Sequence, residues 1–188
     1  MGPTRQALRD ATRDIHDRLD GAPLLRPLTA PGLTPDEYRT ALIALHGFHA
    51  PVESRLGEDG RMALLRADLA DLGMDAAALP VMDGLPDLSA PPARLAARYV
   101  LDGSAHGGRA MLPNVTAALG FDKDRGARFL AAAGAEVKAG WKALLDRLEA
   151  EISGNADRDR ACATAVALFA ALERWLERCP LYLDARGG

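Results

Sequence analysis

The spacing of apolar residues leaves this chain little choice but helix. From about Thr4 to Asp20 they fall as Ala7, Leu8, Ala11, Ile15 and Leu19, the i, i+3/i+4, i+7 order that lines one helix face. Nowhere do β-branched residues alternate with polar ones as a half-buried strand requires. Gly21-Ala22-Pro23 ends the first segment. Thr34-Pro35-Asp36-Glu37 combines an N-cap hydroxyl, a proline at the first helical position and a glutamate three residues on, a capping box. It predicts a second helix from about Thr34 to Leu56, with Pro51 as a kink or a break. A third is expected from about Gly60 to Leu72, stopped by Gly73. Four prolines and a glycine between Pro80 and Pro92 predict a loop. Helical spacing resumes from about Ala93 to Leu112, is interrupted by Gly103, Gly107 and Gly108, and is expected to stop near Pro113. Two more amphipathic stretches, about Asp124 to Ile152 and Asp157 to Arg178, flank Ser153-Gly154-Asn155-Ala156. The fold class expected is an all-α bundle of six or more helices without internal repeats.

Length and composition narrow the class of partner. At 188 residues the chain fits a single domain over 1–188, and its 48% apolar and 26% charged residues are those of an ordinary compact, soluble protein. Its 23 basic and 26 acidic residues give a net charge of −3, with no positive excess to release counterions from a nucleic acid. No stretch approaches the roughly 20 apolar residues of a bilayer span, so no membrane partner is expected. Cys162 and Cys179 lie in one helical stretch, about 25 Å apart along a straight helix, and cannot bridge there. With no apolar leader after Met1, this reads as a cytoplasmic chain in a reducing compartment.

Four histidines, His16, His46, His49 and His106, are the candidate ligands, since imidazole is the commonest metal ligand and a frequent haem ligand. His46 and His49 are three apart, but no Glu-x-x-His pattern joins them into a non-haem metal site. His16, beside Ile15 and one residue off the apolar stripe, is either a cleft-facing ligand or a satisfied structural histidine. The run Tyr99-Val-Leu-Asp-Gly-Ser-Ala-His-Gly-Gly-Arg109 poses a sharper question, because each interior helical glycine costs about 1 kcal/mol relative to alanine. Missing Cβ atoms let a backbone approach a flat ligand closely. They also suit a helix–helix crossing, which accounts for Gly107 and Gly108 better than for Gly103-Ser104. Both readings stay open on the residues alone.

These segments resemble the haem oxygenase family, in particular the bacterial enzymes paired with phytochromes. Leu8-Arg-Asp-Ala-Thr-Arg-Asp-Ile-His16-Asp-Arg-Leu19 is similar to that family's proximal-helix signature, and Tyr99 to Gly108 to its distal-helix signature. Leu33-Thr-Pro-Asp-Glu-Tyr38 with Leu45 and Glu53 resembles the second helix, and Phe169 to Leu176 the last, so the resemblance spans nearly the whole chain. It implies haem held between a proximal helix and a kinked distal helix, with His16 as axial ligand of the iron. Gly103, Gly107 and Gly108 would form the distal wall, and Asp102 or Ser104 would help hold the water network that delivers protons. Arg9, about two turns before His16, and Lys138 and Lys142, flanking Trp141, are the implied propionate contacts.

The resemblance implies oxidative cleavage of haem at a meso carbon to biliverdin, carbon monoxide and iron, with haem as both substrate and cofactor. O2 and electrons from an external reductase or ferredoxin are required, as the sequence carries no nucleotide-binding Gly-x-Gly-x-x-Gly unit and no four-cysteine cluster. An electron-donor protein and a biliverdin acceptor such as a phytochrome are the implied partners. Two departures stand out. His106 replaces the aliphatic residue usual before the glycine pair; it can point away from haem, hydrogen-bond a distal water, or ligate the iron. Ala131 to Ala133 stand where relatives carry tyrosines and arginines, which affects regiospecificity. A non-catalytic haem-binding or haem-storage protein capped by His16 and His106, and a helical scaffold whose glycines only close helix contacts, are the alternatives.

Overall fold

The computed structural model describes residues 2–132 and 135–179 and contains, among them, helices and turns but no strand beyond an isolated bridge between Asp122 and Gly126. Seven α-helices follow in order: α1 (Pro3–Asp20), α2 (Pro35–Leu56), α3 (Met62–Asp71), α4 (Pro91–Leu119), α5 (Arg128–Ala131), α6 (Ala135–Glu151) and α7 (Asn155–Arg178). Two short 3-10 turns, Arg26–Leu28 and Ala76–Ala78, lie in the connections. Helix α7 packs along both α1 and α4, and α6 closes against the same two helices. No described helix is long and apolar enough to cross a membrane. Of the two cysteines, Cys179 is buried and Cys162 half-buried.

The capping box forms as its spacing requires. The Thr34 hydroxyl accepts from the Glu37 amide at 3.3 Å, and the Glu37 carboxylate accepts from the Thr34 amide at 2.9 Å. Pro51 neither kinks α2 to a stop nor breaks it; the helix runs through to Leu56. A proline has no amide to offer the carbonyl four residues back, which here is Gly47. That carbonyl accepts instead from the Met82 amide at 2.9 Å, so the gap left by Pro51 docks the proline-rich loop onto α2.

Helix α4 departs from expectation. It does not stop near Pro113 but continues six residues further to Leu119, ending at Gly120 in the left-handed conformation (φ 71°). Tertiary contacts outweigh the proline: Val115 is fully buried, and the Asn114 side-chain amide donates to the carbonyls of Pro27, Leu28 and Ala30 at 3.3, 3.1 and 2.8 Å. The single helix expected from Asp124 to Ile152 is two. Asp122 turns the chain by accepting from the amides of Asp124 and Arg125, and α5 is then hung from α3 by the buried Asp68. The Asp68 carboxylate accepts from the Arg128 and Phe129 amides at 3.0 and 2.8 Å and from the Arg128 guanidinium at 3.1 Å. Ala133, at the end of the alanine run, lies outside the described residues.

Two apolar clusters make the interior. One gathers α1, α6, α7 and the first half of α4 around Leu8, Leu101, Leu148 and Leu168, all fully buried. The other gathers α3, α5 and the start of α2 around Tyr38, Leu42, Leu65 and Leu69. Each such leucine contributes about 1.5–3 kcal/mol of transfer free energy. Helices α2 and α4 supply residues to both clusters, Ala44 and Phe48 against Leu42 on α2, Leu101 against Val115 on α4.

Candidate functional site

On α1 the apolar side, Leu8, Ile15 and Leu19, is buried. Arg5, Arg9 and His16 lie within about 40° of one another on another side of the helix. His16 is exposed, its side chain 57% accessible, and its Nδ1 stands 3.4 Å from Asp20 Oδ2. The ring meets Phe169 of α7 edge-on at 6.0 Å. Its Nε2 makes no hydrogen bond among the described residues, which leaves one ring nitrogen available to a ligand.

On α4, Tyr99, Gly103, His106 and Gly107 fall within an arc of about 100°, with Gly108 turned to the opposite side. The glycines therefore divide. A Cβ at Gly103 would meet only the Trp141 indole, at 3.8 Å, and one at Gly107 only the Met111 methyl of its own helix, at 4.0 Å. A Cβ at Gly108 would press on the Leu130 backbone, 3.0 Å from its carbonyl oxygen and 3.2 Å from its Cα. Gly108 is thus buried where α4 crosses α5, while Gly103 and Gly107 leave a strip of bare backbone.

At one end of the strip Tyr99 stands near enough to Arg5 and Arg9 of α1 to feel their charge. Burial pushes the Tyr99 phenol up, and the positive charges of Arg5 and Arg9 act against that shift. Trp141 of α6 stacks on Tyr99 with ring centres 5.2 Å apart and meets His106 at 5.0 Å with the two rings tilted by 59°. Lys138 and Lys142 lie on α6 on either side of Trp141; both are exposed, and Lys142 pairs with Asp146 at 2.6 Å. His16 and Arg9 thus share one side of α1, and Trp141 joins Gly103, Tyr99 and His106, with Lys138 and Lys142 exposed on its own helix.

Asp102 and Ser104 turn elsewhere. Arg98 bridges Asp102 (3.0 Å) to both oxygens of Glu53 (2.8 and 3.1 Å) and to Glu58 (2.8 Å), and Glu53 is only 2% exposed. Burial opposes the charge on Arg98, but Glu53 and Asp102 outweigh it and hold the guanidinium pKa up. Ser104 donates to the Leu101 carbonyl at 2.6 Å and accepts from Arg61 at 2.7 Å, while Arg61 also donates to that carbonyl at 3.0 Å. The Arg61 guanidinium lies 4.4 Å over the Phe129 ring, and burial lowers its pKa to about 10. The two polar residues, on either side of Gly103, are thus tied through Arg98 to α2 and through Arg61 to the chain just before α3. His46 and His49 are buried on α2, each with an unpaired Nδ1. The one trio of metal-ligand type among the described residues is His16, Asp17 and Asp20, all exposed.

The bare strip fits a flat ring system, because a planar group comes into van der Waals contact with a helix backbone only where Cβ atoms are missing. An exposed imidazole on α1 is of the type that can ligate iron, and the exposed cations of α1 and α6 are of the type that can pair with carboxylates. The sequence matches no protein-family model and no curated protein. The structure is similar to that of the NO- and CO-bound haem oxygenase from Neisseria meningitidis, with a TM-score of 0.76 at 20% identity, over 95% of this chain and 92% of that one. The chain has the haem oxygenase fold. Within that fold, sequence reasoning missed Arg61, Arg98 and the stacking role of Trp141. Trp141 carried a signal, as an aromatic residue set between two lysines and next to Gly140, but its stacking partners lie on another helix.

Proposed function

We propose that this chain binds haem between the His16 side of α1 and the Gly103–Gly107 strip of α4 and cleaves it at a meso carbon to biliverdin, carbon monoxide and iron. The observation that carries this reading is the strip itself: two interior glycines that meet, among the described residues, no backbone of another element, only the Trp141 indole at Gly103 and the Met111 methyl at Gly107, in a chain with this fold whose α1 bears Arg5, Arg9 and His16 on one side. His16 Nε2 is the proposed iron ligand. Arg9, Lys138 and Lys142 are the proposed cations for the propionates, and Gly103 and Gly107 the wall that the macrocycle touches. Gly108 supports that wall from behind by letting α4 close on α5. Asp102 and Ser104, held by Arg98 and Arg61, fix the level of α4 at the strip and bear on catalysis through that position. Bound haem supplies the oxygen chemistry, with O2 and electrons from an external reductase or ferredoxin. The reading takes residues 1–188 as one domain, on the ground that α2 and α4 build both apolar clusters. A cytoplasmic setting and a biliverdin acceptor such as a phytochrome belong to it.

The test is a haem titration of the ligand-free protein followed by ascorbate or a ferredoxin–reductase pair. A one-to-one Soret band that decays into the broad red absorption of biliverdin is expected, and His16→Ala is expected to lose the histidine-ligated spectrum and most turnover. An unchanged spectrum in that variant removes His16 from the role. His106 supports a second reading, because it lies on the same side of α4 as Gly103. A stable, low-spin band that vanishes on His106→Ala would mark a non-catalytic haem-binding or storage protein.

A further inference from the structure

Tyr99 and His106 are seven residues apart, about two turns, and Gly103 lies between them on the same side of α4. Two flat rings therefore stand as jaws over a floor with no side chain. The Trp141 indole lies in contact with both jaws, and its Cη2 comes within 3.8 Å of where a Gly103 Cβ would be. That is the layer in which a planar ligand touches the helix, so indole and ligand cannot occupy it together. The part of α6 that carries Trp141 is lightly held: Lys138, Ala139, Gly140, Lys142 and Ala143 are exposed, and Leu144 is the first buried residue after it. A Cβ at Gly140 would meet nothing within 4 Å among the described residues, so no described side chain or backbone pins that side of the turn.

We propose that the Tyr99–Gly103–His106 slot is a seat for one edge of a flat aromatic macrocycle, and that Trp141 fills it until the ligand arrives. The inference rests on the haem reading above. Filling an apolar slot with the chain's own indole keeps water off the bare backbone and two ring faces, and it makes ligand entry a competition. The apparent affinity then falls by the fraction of molecules whose slot is open, so a slot open about one-tenth of the time weakens and slows binding about tenfold.

Stopped-flow mixing of the ligand-free full chain with CO-bound ferrous haem, followed at the Soret band, tests this. In the wild-type chain the observed rate is expected to level off as haem concentration rises, because opening of the slot becomes limiting. Trp141→Ala is expected to keep a rate proportional to haem and to bind about tenfold tighter, with Trp141→Phe between the two. The wild-type plateau needs no variant, so a Trp141→Ala chain that fails to fold does not remove the test. Proportional wild-type rates with unaltered or weaker binding by the variants would overturn the inference and leave the haem reading standing. A Soret band that stays that of free haem in all of the chains overturns both, whereas a shifted, protein-bound band in Trp141→Ala alone upholds the slot.

Discussion

His49 shows how a single side chain can set the acid limit of this protein. It is 1% exposed, edge-on to Phe48 and Phe129, with Nδ1 unpaired. Burial first, and then the charges of Arg61 and Arg98, hold its pKa well below the usual histidine value, and His46 is lowered in the same direction. A depressed histidine stays neutral in the folded chain while the unfolded chain takes up a proton near pH 6.5. Stability from these two residues is therefore present above about pH 6.5 and is lost as the pH falls below it, by at most about 1.4 kcal/mol per pH unit for each. Denaturant unfolding at pH 7.5 and 5.5 should show that loss, and His49→Leu should reduce it by about half; an undiminished loss in the variant would sink the assignment. In the sequence, His46 and His49 could be recognised as lacking metal partners. The burial of His49 could not, because it depends on Phe129, eighty residues downstream, reaching the same spot.

At the scale of the helix, two neighbouring glycines make opposite demands. Alanine at Gly107 gains about 1 kcal/mol of helix propensity in open space, yet it sets a methyl group on the proposed ligand face. Alanine at Gly108 drives a methyl group into the Leu130 backbone, an overpacking that costs about 1–3 kcal/mol. Thermal unfolding of the ligand-free protein should place Gly107→Ala above wild type and Gly108→Ala below it. The haem titration should weaken more for Gly107→Ala, and the reverse order in either assay would refute the division. The helical period alone puts the two residues about 100° apart, so their divergence was legible in the sequence; which side faced α5 was not. The start of α2 was legible because its cap closes within four residues. The end of α4 was not, because what carries it past Pro113 is a side chain reaching carbonyls more than eighty residues away.

For the molecule as a whole, helix content and order were written in local spacing, while the joint between the two apolar clusters depends on contacts between distant segments. The stretch from Leu79 to Ala90, which has no helix of its own, is held across α2 by the Met82–Gly47 hydrogen bond, with Val81 beside it half exposed. That bond exists because Pro51 gives the Gly47 carbonyl no donor from within its helix. Replacing Pro51 with alanine would count as an improvement on any helix-propensity scale. Here it would add a rival amide for the one acceptor that fastens the segment. Limited subtilisin digestion should nick Pro51→Ala between residues 79 and 90 several-fold faster than the wild-type chain, and equal rates would show that the segment is fastened by other means. A residue that weakens its own helix thereby shields a distant stretch of chain from proteases.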